Sequence, residues 1–474
     1  MHLCAVLGPE TVGRSSILVV LKPARDTIVA LATPYGVAAI AKVRVSGPLS
    51  RELIQGIFLK TGWSPRHVYW ADFRDIHGRK LDEVCWVYFE NDKSYTGEDG
   101  LEIDCHGNPL IVQKILKDLE QRGCRLAEPG EFTKRAFLNH KIDLCQAEAV
   151  LDLIHANNEQ ALAIASEQLS GSLSCKISEL NKQLLHLLAL IEMEIDFSEG
   201  MEEESDSGLS RVSAEIEQFL EDVQTLQAMQ SDSERVRKGI KVVLIGEPNA
   251  GKSSLLNHLL QKDRALVDME AGTTRDFISA SWVCSGYHLE LFDTAGLRAP
   301  ENNLERQGIE RSIALLKTAD VVLWVVDLHA PEKISTEALM AYTSPERVIR
   351  VENKSDLGVA SESGKAVSSL ERVVVSAKTG EGIDVLRQQL AAKIPILSSH
   401  RPLLYGINER HASVFRRVED LLASVLSRVK SSNASAECIA SDLRLALEIL
   451  GEITGSYDQE AMLDNLFSQF CIGK

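Results

Sequence analysis

The segment KVVLIGEPNAGKSSLLN, residues 241–257, restricts the fold of this chain more than any other stretch. An apolar run leads into the pattern G-x-x-x-x-G-K-[ST], which occupies Gly246 to Ser253, and a helical sequence follows. In such a loop the glycines let backbone N–H groups surround phosphates, Lys252 neutralises the β and γ groups, and Ser253 ligates Mg²⁺. The segment therefore predicts a strand, a phosphate loop and a helix of an α/β nucleotide-binding domain.

Further motifs follow in the order expected for a GTP-binding domain. GTTRD offers Thr274 to Mg²⁺ and to the γ-phosphate, and DTAG places Asp293 directly after the strand-like LELF. NKSD ends in Asp356, whose carboxylate can accept hydrogen bonds from N1–H and the 2-amino group of guanine, a pair that adenine lacks. SAK, which begins at Ser376, would close over the base. Together the motifs predict a GTPase.

The residue that follows the DTAG motif is Leu297. Ras-like enzymes place a glutamine at this position to orient the attacking water, whereas a leucine side chain makes no hydrogen bond. Another group must therefore position the water in this chain.

Hydrophobic periodicity divides the rest of the chain. From residue 26 to about 140, β-branched runs broken by proline and glycine predict a compact α+β domain. Apolar residues recur every three or four positions from Leu144 to Ile195 and again from Val414 to Leu450, which predicts long amphipathic helices. We expect the two helical stretches to pack together, with the nucleotide-binding segment as a domain inserted between them.

Composition and cysteine spacing limit the partners and the compartment. The net charge of −17 argues against a protein that coats nucleic acid with its whole surface, and leaves a local basic patch open. The nine cysteines include no C-x-x-C spacing, which favours reduced thiols in the cytoplasm over disulfides or a zinc finger. The longest apolar runs are far shorter than the ~20 residues that span a bilayer, so we expect no membrane segment.

The chain ends in FCIGK, which places Cys471 four residues from the terminus. A prenylation signal has this frame, but Lys474 is not among its usual last residues and Gly473 stands where an aliphatic residue is expected. No polybasic stretch precedes the cysteine to supply a second membrane signal. The residues alone leave two interpretations, a packing side chain and a reactive thiol.

Two other polar clusters are predicted to be structural. Cys105 and His106 look like a metal-binding pair, but no second pair stands near them in the sequence. The acidic run 192–207 has no fixed ligand spacing, so we interpret it as a solvated loop.

From Asp26 to Lys474 the chain resembles the MnmE family, also called TrmE, of tRNA modification GTPases. The resemblance rests on TGEDGLEIDCHG, PGEFTKRAFLNHKIDLCQAEA, PNAGKSSLLN, AGTTRD, DTAGLR, GIER and FCIGK, which follow one another along nearly the whole chain. It implies a multidomain α/β and α fold: an α+β folate-binding N-terminal domain that dimerises, a discontinuous helical domain, and an inserted Ras-like, doubly wound α/β G domain. The expected segments are an unstructured extension outside the resemblance (1–25), the folate-binding domain (26–141), the first helical part (142–237), the G domain (238–398) and the second helical part with the terminal cysteine (399–474).

The resemblance also implies a GTPase that is activated when two G domains meet in the presence of K⁺. It gives the water-orienting role to Glu305, in NLERQGIER. The implied K⁺ ligands are Asn249, Asp268, Glu270 and Thr273, and the sequence departs from the family at Asp268, where Thr or Ser is usual, and at Glu270, where an apolar residue is common. The predicted GTP contacts are Asn249, Ala250, Gly251, Lys252, Ser253, Ser254, Asp268, Met269, Glu270, Ala271, Gly272, Thr273, Thr274, Asp293, Thr294, Ala295, Gly296, Asn353, Lys354, Asp356, Ser376, Ala377 and Lys378, with Ser253 and Thr274 as Mg²⁺ ligands.

For the N-terminal domain the resemblance implies a site for 5,10-methylenetetrahydrofolate, with 5-formyltetrahydrofolate as an analogue. The implied contacts are Arg44, Glu102, Lys141 and Lys474. A carboxylate suits the amino-pyrimidinone edge of a pterin, and cations suit the glutamate tail. Because Lys474 is one of these contacts, we expect Cys471 to lie near the cofactor, which favours the reactive thiol over the packing side chain.

The function that the resemblance implies is addition of a folate-derived (carboxymethyl)aminomethyl group to C5 of the wobble uridine of certain tRNAs. The expected partners are a second copy of the chain, the FAD-dependent protein MnmG in a heterotetramer, and tRNA, all in the cytoplasm and without a membrane. An alternative from another class is a ribosome-assembly or RNA-checkpoint GTPase without one-carbon chemistry. That alternative explains the G-domain motifs but not FCIGK, and no KH-type RNA module follows the G domain.

Overall fold

The structure is a computed structural model. It describes residues 26–197, 206–261, 278–284, 287–293, 312–330, 335–358, 370–394, 404–430, 435–456, 463 and 466–474. The chain divides into two compact units, the first formed by Met1–Asp143 with Gln459–Lys474 and the second by Leu144–Asp458. The predicted N-terminal extension, residues 1–25, lies outside the described residues.

The first unit contains a six-stranded mixed sheet. Its strands are β1 (Ile28–Leu31), β2 (Ile40–Ser46), β3 (Tyr69–Arg74), β4 (Lys80–Phe89), β5 (Gly100–His106) and β6 (Arg125–Leu126), in the order β3-β4-β5-β2-β1-β6. Only the β1–β6 pair among them is parallel. The helices are α1 (Ser50–Phe58), α2 (Pro109–Gln121) and α3 (Glu131–Leu138).

Buried side chains alternate with more exposed ones along the strands, and the buried ones form the core of this unit. In β4 the side chains of Val84, Trp86 and Tyr88 are buried and those between them are more exposed, because successive residues of a strand point to opposite faces. Apolar residues of α1 and α2, including Ile54 and Ile115, join the same core. Helices α1 and α2 thus cover one face of the sheet, and Phe132 of α3 packs with Ile28 and Ala30 of β1 on the other face.

The last residues of the chain pack within the first unit. Phe467 and Phe470 are buried, with ring centroids 5.6 Å apart. Gly473 has φ +93°, and a Cβ there would lie 2.3 Å from the carbonyl oxygen of Leu31, so only glycine fits against the end of β1. The sequence had assigned residues 399–474 to the helical domain, whereas the structure groups the segment from Gln459 onward with the N-terminal unit.

In the sequence of the second unit, helices lie before, within and after the segment that forms its sheet. They are α4 (Leu144–His155), α5 (Glu159–Leu169), α6 (Ser172–Phe197), α7 (Asp206–Ala228), α8 (Gln230–Lys238), α9 (Lys252–Gln261), α10 (Thr336–Met340), α11 (Ile383–Lys393), α12 (Glu409–Lys430) and α13 (Ala436–Gly451). Helix α6 packs on α13, and α7 packs on α12. Buried residues such as Leu180 and Phe219 from the first helical stretch share one core with Phe415 and Leu443 from the second. The predicted discontinuous helical domain is confirmed.

A second six-stranded sheet lies between the two helical stretches in sequence. Its strands are β7 (Ile240–Gly246), β8 (Ile278–Cys284), β9 (Tyr287–Asp293), β10 (Val321–Asp327), β11 (Val348–Asn353) and β12 (Glu371–Val374), in the order β12-β11-β10-β7-β9-β8. All neighbouring pairs are parallel except β8–β9. Val242 and Leu244 of β7 face a core that includes α9 and α11, while Val243 and Ile245 face another core with α10. The sheet is covered on both faces, which confirms the doubly wound α/β G domain.

Among the described residues, no helix is both long and apolar enough to cross a membrane.

Candidate functional site

The phosphate loop joins the end of β7 to the start of α9, as the sequence predicts. Gly246 closes β7, and a Cβ there would lie 2.1 Å from the carbonyl oxygen of Val325, so the close approach of β7 to β10 requires glycine. Asn249 and Gly251 both have left-handed backbone, with φ of +68° and +95°. A loop with such alternating backbone turns successive N–H groups to one side, which suits it to bind an anion.

Lys252 lies across this loop. Its Nζ donates to the carbonyl oxygens of Gly246 at 3.0 Å and Glu247 at 3.1 Å. Burial lowers the pKa of Lys252, although the charges of Asp293 and Glu247 act in the opposite direction. The ammonium is therefore held at the mouth of the loop by neutral carbonyl groups, where phosphate oxygens would be stronger partners.

Ser253, a predicted Mg²⁺ ligand, meets the predicted GTP contact Asp293 next to the loop. The Ser253 hydroxyl donates to Asp293 Oδ2 at 2.9 Å. Ser253 follows the phosphate loop and Asp293 ends β9, which runs parallel to β7, so both lie at the carboxyl edge of the sheet. A hydroxyl and a carboxylate are oxygen ligands of the kind that Mg²⁺ prefers.

Asn353 ties the base-recognition segments to the phosphate loop. Its Nδ2 donates to the carbonyl oxygen of Ala250 at 2.7 Å, and its Oδ1 accepts from the N–H of Ala377 at 2.9 Å. Close by, Asp356 is exposed and its Oδ1 accepts from the Ser376 hydroxyl at 2.7 Å. The NKSD and SAK motifs are thus brought together, with one carboxylate at the rim that could face a base.

Lys354 and Lys378 differ in their surroundings. Lys378 is exposed. Lys354 has left-handed backbone, with φ +72°, and its Nζ lies 2.6 Å from Asp327 Oδ2. The sequence did not single out Asp327. The signal that could have found it is its place as the last residue of VVLWVVD, since ligands of parallel sheets bind beyond the carboxyl ends of the strands.

The rest of the predicted nucleotide site lies partly outside the described residues. Asn249, Ala250, Gly251 and Ser254 lie in the phosphate loop and the first turn of α9. Residues outside the described part are Asp268, Met269, Glu270, Ala271, Gly272, Thr273, Thr274, Thr294, Ala295, Gly296, Leu297 and Glu305.

A second polar cluster lies on the sheet of the first unit, beside the C-terminal residues. Arg44 of β2 and Glu102 of β5 are cross-strand partners, and Arg44 Nε donates to Glu102 Oε1 at 3.0 Å. Arg44 Nη1 also donates to the carbonyl oxygen of Gly473 at 3.3 Å. The rings of Tyr95 and Phe132 each lie 5.8 Å from the guanidinium carbon, within range of a cation–π contact. Arg44 therefore connects the sheet to the end of the chain.

The charges in this cluster influence one another. Burial alone would raise the pKa of Glu102, but Lys42, whose Nζ lies 2.9 Å from Oε2, and Arg44 outweigh it and hold the pKa below its usual range. Burial and the charge of Arg44 lower the pKa of Lys474, with Glu102 acting in the opposite direction. Three of the four predicted folate contacts, Arg44, Glu102 and Lys474, are thus brought together.

The fourth predicted folate contact occupies a different position. Lys141 is exposed, and its Nζ donates to the carbonyl oxygen of Asp92 at 3.0 Å, in the connection that follows β4. Lys42 and Tyr95 belong to the cluster instead, and the sequence did not single them out. Lys42 could have been found from the two-residue period of β2, which places it on the same face as Arg44.

Cys471 is exposed, between the buried Phe470 and the buried Gly473. Its neighbour Ile472 is also 61% exposed. Phe470 and Gly473 thus hold the segment while the thiol faces solvent. The position does not resemble that of a packing side chain.

Cys105 and His106 have separate structural partners. Cys105 is buried, its Sγ donates to the carbonyl oxygen of Ala41 at 3.4 Å, and burial raises the pKa of its thiol to about 11. His106 Nδ1 lies 2.8 Å from Asp82 Oδ1. Neighbours in a strand point to opposite faces, which prevents the two side chains from sharing a ligand.

Comparison with known proteins places the chain among relatives of nearly the same length. The family model described as "MnmE helical domain" matches residues 144–471, and the model described as "GTP-binding protein TrmE N-terminus" matches residues 27–141. The tRNA modification GTPase MnmE of Opitutus terrae is 43% identical over 464 residues, covering 96% of this chain and 100% of the relative. The protein of the same name from Aquifex aeolicus is 40% identical over 454 residues, covering 95% and 100%. Among solved structures, Aquifex aeolicus Era with bound GDP·AlF4⁻ aligns with 38% of this chain and 66% of its own at 25% identity, with a TM-score of 0.27.

Proposed function

This chain belongs to the MnmE family of tRNA modification GTPases, and we propose that it hydrolyses GTP in a cycle that modifies the wobble uridine of certain tRNAs. It would act in the cytoplasm as a homodimer, in a heterotetramer with the FAD-dependent protein MnmG. The observation that carries the proposal is that one chain contains two separate sites. One is the phosphate loop with its base-recognition segments, and the other is the Arg44–Glu102–Lys474 cluster beside an exposed Cys471.

The first site supports GTP binding and hydrolysis. Lys252 would exchange its two carbonyl partners for phosphate oxygens, and Ser253 and Asp293, with Thr274, would hold Mg²⁺. The ion would neutralise charge that develops on the phosphate oxygens. Asp356 would accept hydrogen bonds from the guanine edge, and the Asn353 bridges would keep the base and phosphate segments at a fixed separation.

Activation by K⁺ belongs to the same proposal. Asn249, Asp268, Glu270 and Thr273 would surround the ion, which would supply the positive charge that an arginine finger supplies in other GTPases. Since Leu297 cannot orient water, Glu305 would take that role.

Steady-state hydrolysis of GTP in KCl and in NaCl tests the role of K⁺ and, with a variant, the role of Glu305. We expect faster turnover in KCl, and a strong loss of kcat in Glu305→Ala with nearly unchanged nucleotide affinity, because the residue acts only on the water. Glu301→Ala, four residues earlier, is the matched control. Equal rates in the two salts would remove the K⁺ role, and full turnover of Glu305→Ala would remove the water-orienting role.

The second site supports one-carbon chemistry. Glu102, with its partner Arg44, would bind the pterin of 5,10-methylenetetrahydrofolate, or of 5-formyltetrahydrofolate as an analogue, and Lys141 and Lys474 would bind the glutamate tail. Cys471 would present its thiol to the folate-derived group that is destined for C5 of the uridine. Glycine or ammonium would complete the (carboxymethyl)aminomethyl group.

Mass spectrometry of tRNA nucleosides tests the proposal as a whole. In a bacterial strain that lacks its own family member, the unchanged chain should restore the modified wobble uridine. Lys252→Ala should fail to restore it, and Lys114→Ala, which changes an exposed lysine of α2, should behave as the unchanged chain. Unmodified tRNA in cells that contain the folded, GTP-hydrolysing chain would reject the tRNA function. It would then favour a ribosome-assembly role for the same G domain.

A further inference from the structure

Asp327 occupies a position that the GTPase motifs do not explain. It is the last residue of β10, and its Cα partner on the neighbouring strand is Asn353, the first residue of NKSD. Asp327 Oδ2 lies 2.6 Å from Lys354 Nζ, and its Oδ1 accepts from the N–H of His329 at 3.0 Å. Its side chain is only 15% exposed. The Asp327 carboxylate is therefore held both by the backbone that follows its strand and by the lysine.

The charge state of Asp327 agrees with this contact. Burial alone would raise the pKa of the carboxyl, but the Lys354 ammonium and the His329 N–H outweigh it and hold the pKa below its usual range. The contact is thus a charge-assisted hydrogen bond that the Asp327 carboxylate accepts from the lysine side chain.

Two other side chains of NKSD are held by other segments. Asn353 bridges the phosphate loop and SAK, and Asp356 accepts from Ser376. Lys354 has left-handed backbone and a long, flexible side chain, which loses up to ~2 kcal/mol of conformational freedom when it is ordered. The Asp327 carboxylate fixes the end of that side chain through a contact within the protein, so the lysine does not depend on the base for its ordering.

We propose that Asp327 is a positioning residue for the guanine site: it holds the Lys354 ammonium so that the aliphatic stem forms a fixed wall against the base. The inference rests on the proposed GTP function and extends it by one residue outside the motifs. Asp327 itself contacts no nucleotide in this assignment. Its effect falls equally on GDP and GTP, because both carry the same base.

Equilibrium binding of fluorescently labelled GDP tests the assignment in the full-length protein. Asp327→Asn keeps the size of the side chain and an oxygen for the His329 N–H, but removes the charge that holds the ammonium. We expect the Kd for GDP to rise roughly tenfold, the Kd for a non-hydrolysable GTP analogue to rise by the same factor, and kcat at saturating GTP to stay unchanged. Asp320→Asn is the matched control, since Asp320 pairs with Arg235 just before the opposite end of β10. It should leave both Kd values unchanged.

A double-mutant cycle separates positioning from a general structural role. Lys354→Met keeps an aliphatic stem and removes the ammonium, so Asp327→Asn should have no further effect on GDP binding in that background. A tenfold loss that persists in Lys354→Met would overturn the proposal, as would a normal Kd in Asp327→Asn. If the unchanged protein bound no guanine nucleotide, the proposed GTP function would fall, and the positioning role with it. Normal binding by both the unchanged protein and Asp327→Asn would reject the positioning role alone.

Discussion

Arg410 holds Glu148 through two hydrogen bonds inside the helical region, from Nε to Oε1 at 2.7 Å and from Nη2 to Oε2 at 2.9 Å. The fully buried His411 places its Nε2 2.8 Å from the same Oε2. Arg410 also donates to the carbonyl oxygens of Glu452 and Ile453, which follow α13. One carboxylate on α4 thus joins segments that lie before and after the inserted G domain in sequence.

Glu148→Gln should destabilise the helical region strongly. The amide cannot balance the partly buried Arg410 and the buried His411, and breaking one partner of a buried ion pair typically removes about 3–5 kcal/mol from the free energy of unfolding. Urea unfolding followed by circular dichroism measures this difference. Glu437→Gln, at an exposed position of α13, is the control and should change stability by less than ~0.5 kcal/mol. Similar midpoints for the two variants would contradict a structural role for the Glu148 pair.

The same pair should make stability depend on pH in acid. Burial alone would raise the pKa of Glu148, but the charges of His411 and Arg410 outweigh it and place the pKa far below the ordinary 4.5. A carboxyl group with a lowered pKa in the folded state stabilises the fold above its unfolded pKa. That stabilisation is lost as the pH falls below about 4.5 toward the folded value. The free energy of unfolding, measured from pH 7 to pH 3, should therefore fall more steeply for the unchanged protein than for Glu148→Gln, and parallel curves would refute the linkage.

Gly251→Ala should damage nucleotide binding more than overall folding. Gly251 has φ +95°, and a Cβ there would lie 2.1 Å from Asn353 Nδ2. The methyl group would displace the Asn353 amide and break its hydrogen bond to Ala250, so we expect GDP affinity to fall at least tenfold, equivalent to about 1.4 kcal/mol. Gly36→Ala is the control, because an added Cβ there meets no described atom within 4 Å. Unchanged GDP affinity in Gly251→Ala would show that the Asn353 bridge is dispensable.

Asp356→Asn should move base preference from guanine toward xanthine. The carboxylate would accept from the 2-amino group of guanine, whereas an amide could donate to the 2-oxo group of xanthine. Because Asp356 is exposed at the rim, the substitution should leave the melting temperature of the nucleotide-free protein nearly unchanged. Competition between GTP and XTP for the labelled site gives the ratio of affinities, and a ratio equal to that of the unchanged protein would remove Asp356 from base recognition.

The sequence predicted the G domain well because its motifs have fixed backbone requirements. A glycine that must approach Val325, or a lysine that must follow a phosphate loop, can be recognised without the rest of the fold. The apolar period of α6, α7, α12 and α13 likewise predicted helices that share a core.

Contacts that depend on strand register could not be predicted in the same way. Arg44 meets Glu102 because β2 and β5 pair in one particular register, and a shift by one residue would place the two side chains on opposite faces. Asp327 meets Lys354 because β10 and β11 end side by side. The resemblance implied that Lys474 lies at the folate site, but the boundary at Gln459 depends on tertiary contacts such as Gly473 against Leu31, which no local pattern shows.

Cys471→Ser should abolish wobble-uridine modification while GTP hydrolysis and folate binding stay near those of the unchanged protein. Serine keeps the shape of the side chain but cannot supply a thiolate at pH 7. Since Cys471 is exposed, the substitution should change the free energy of unfolding by less than ~0.5 kcal/mol, so a loss of modification could not be attributed to misfolding. The measurement is the modified-nucleoside content of tRNA from cells that carry only the variant, together with the Kd of the purified protein for 5-formyltetrahydrofolate.

Two comparison variants sharpen this test. Cys438→Ser changes another exposed cysteine, on α13, and should leave modification intact. Arg44→Ala removes the hydrogen bond to the Gly473 carbonyl and the pairing with Glu102, so it should weaken both folate binding and modification. Loss of modification with retained folate binding is thus specific to the thiol, and normal modification in Cys471→Ser would assign the cysteine no chemical role at all.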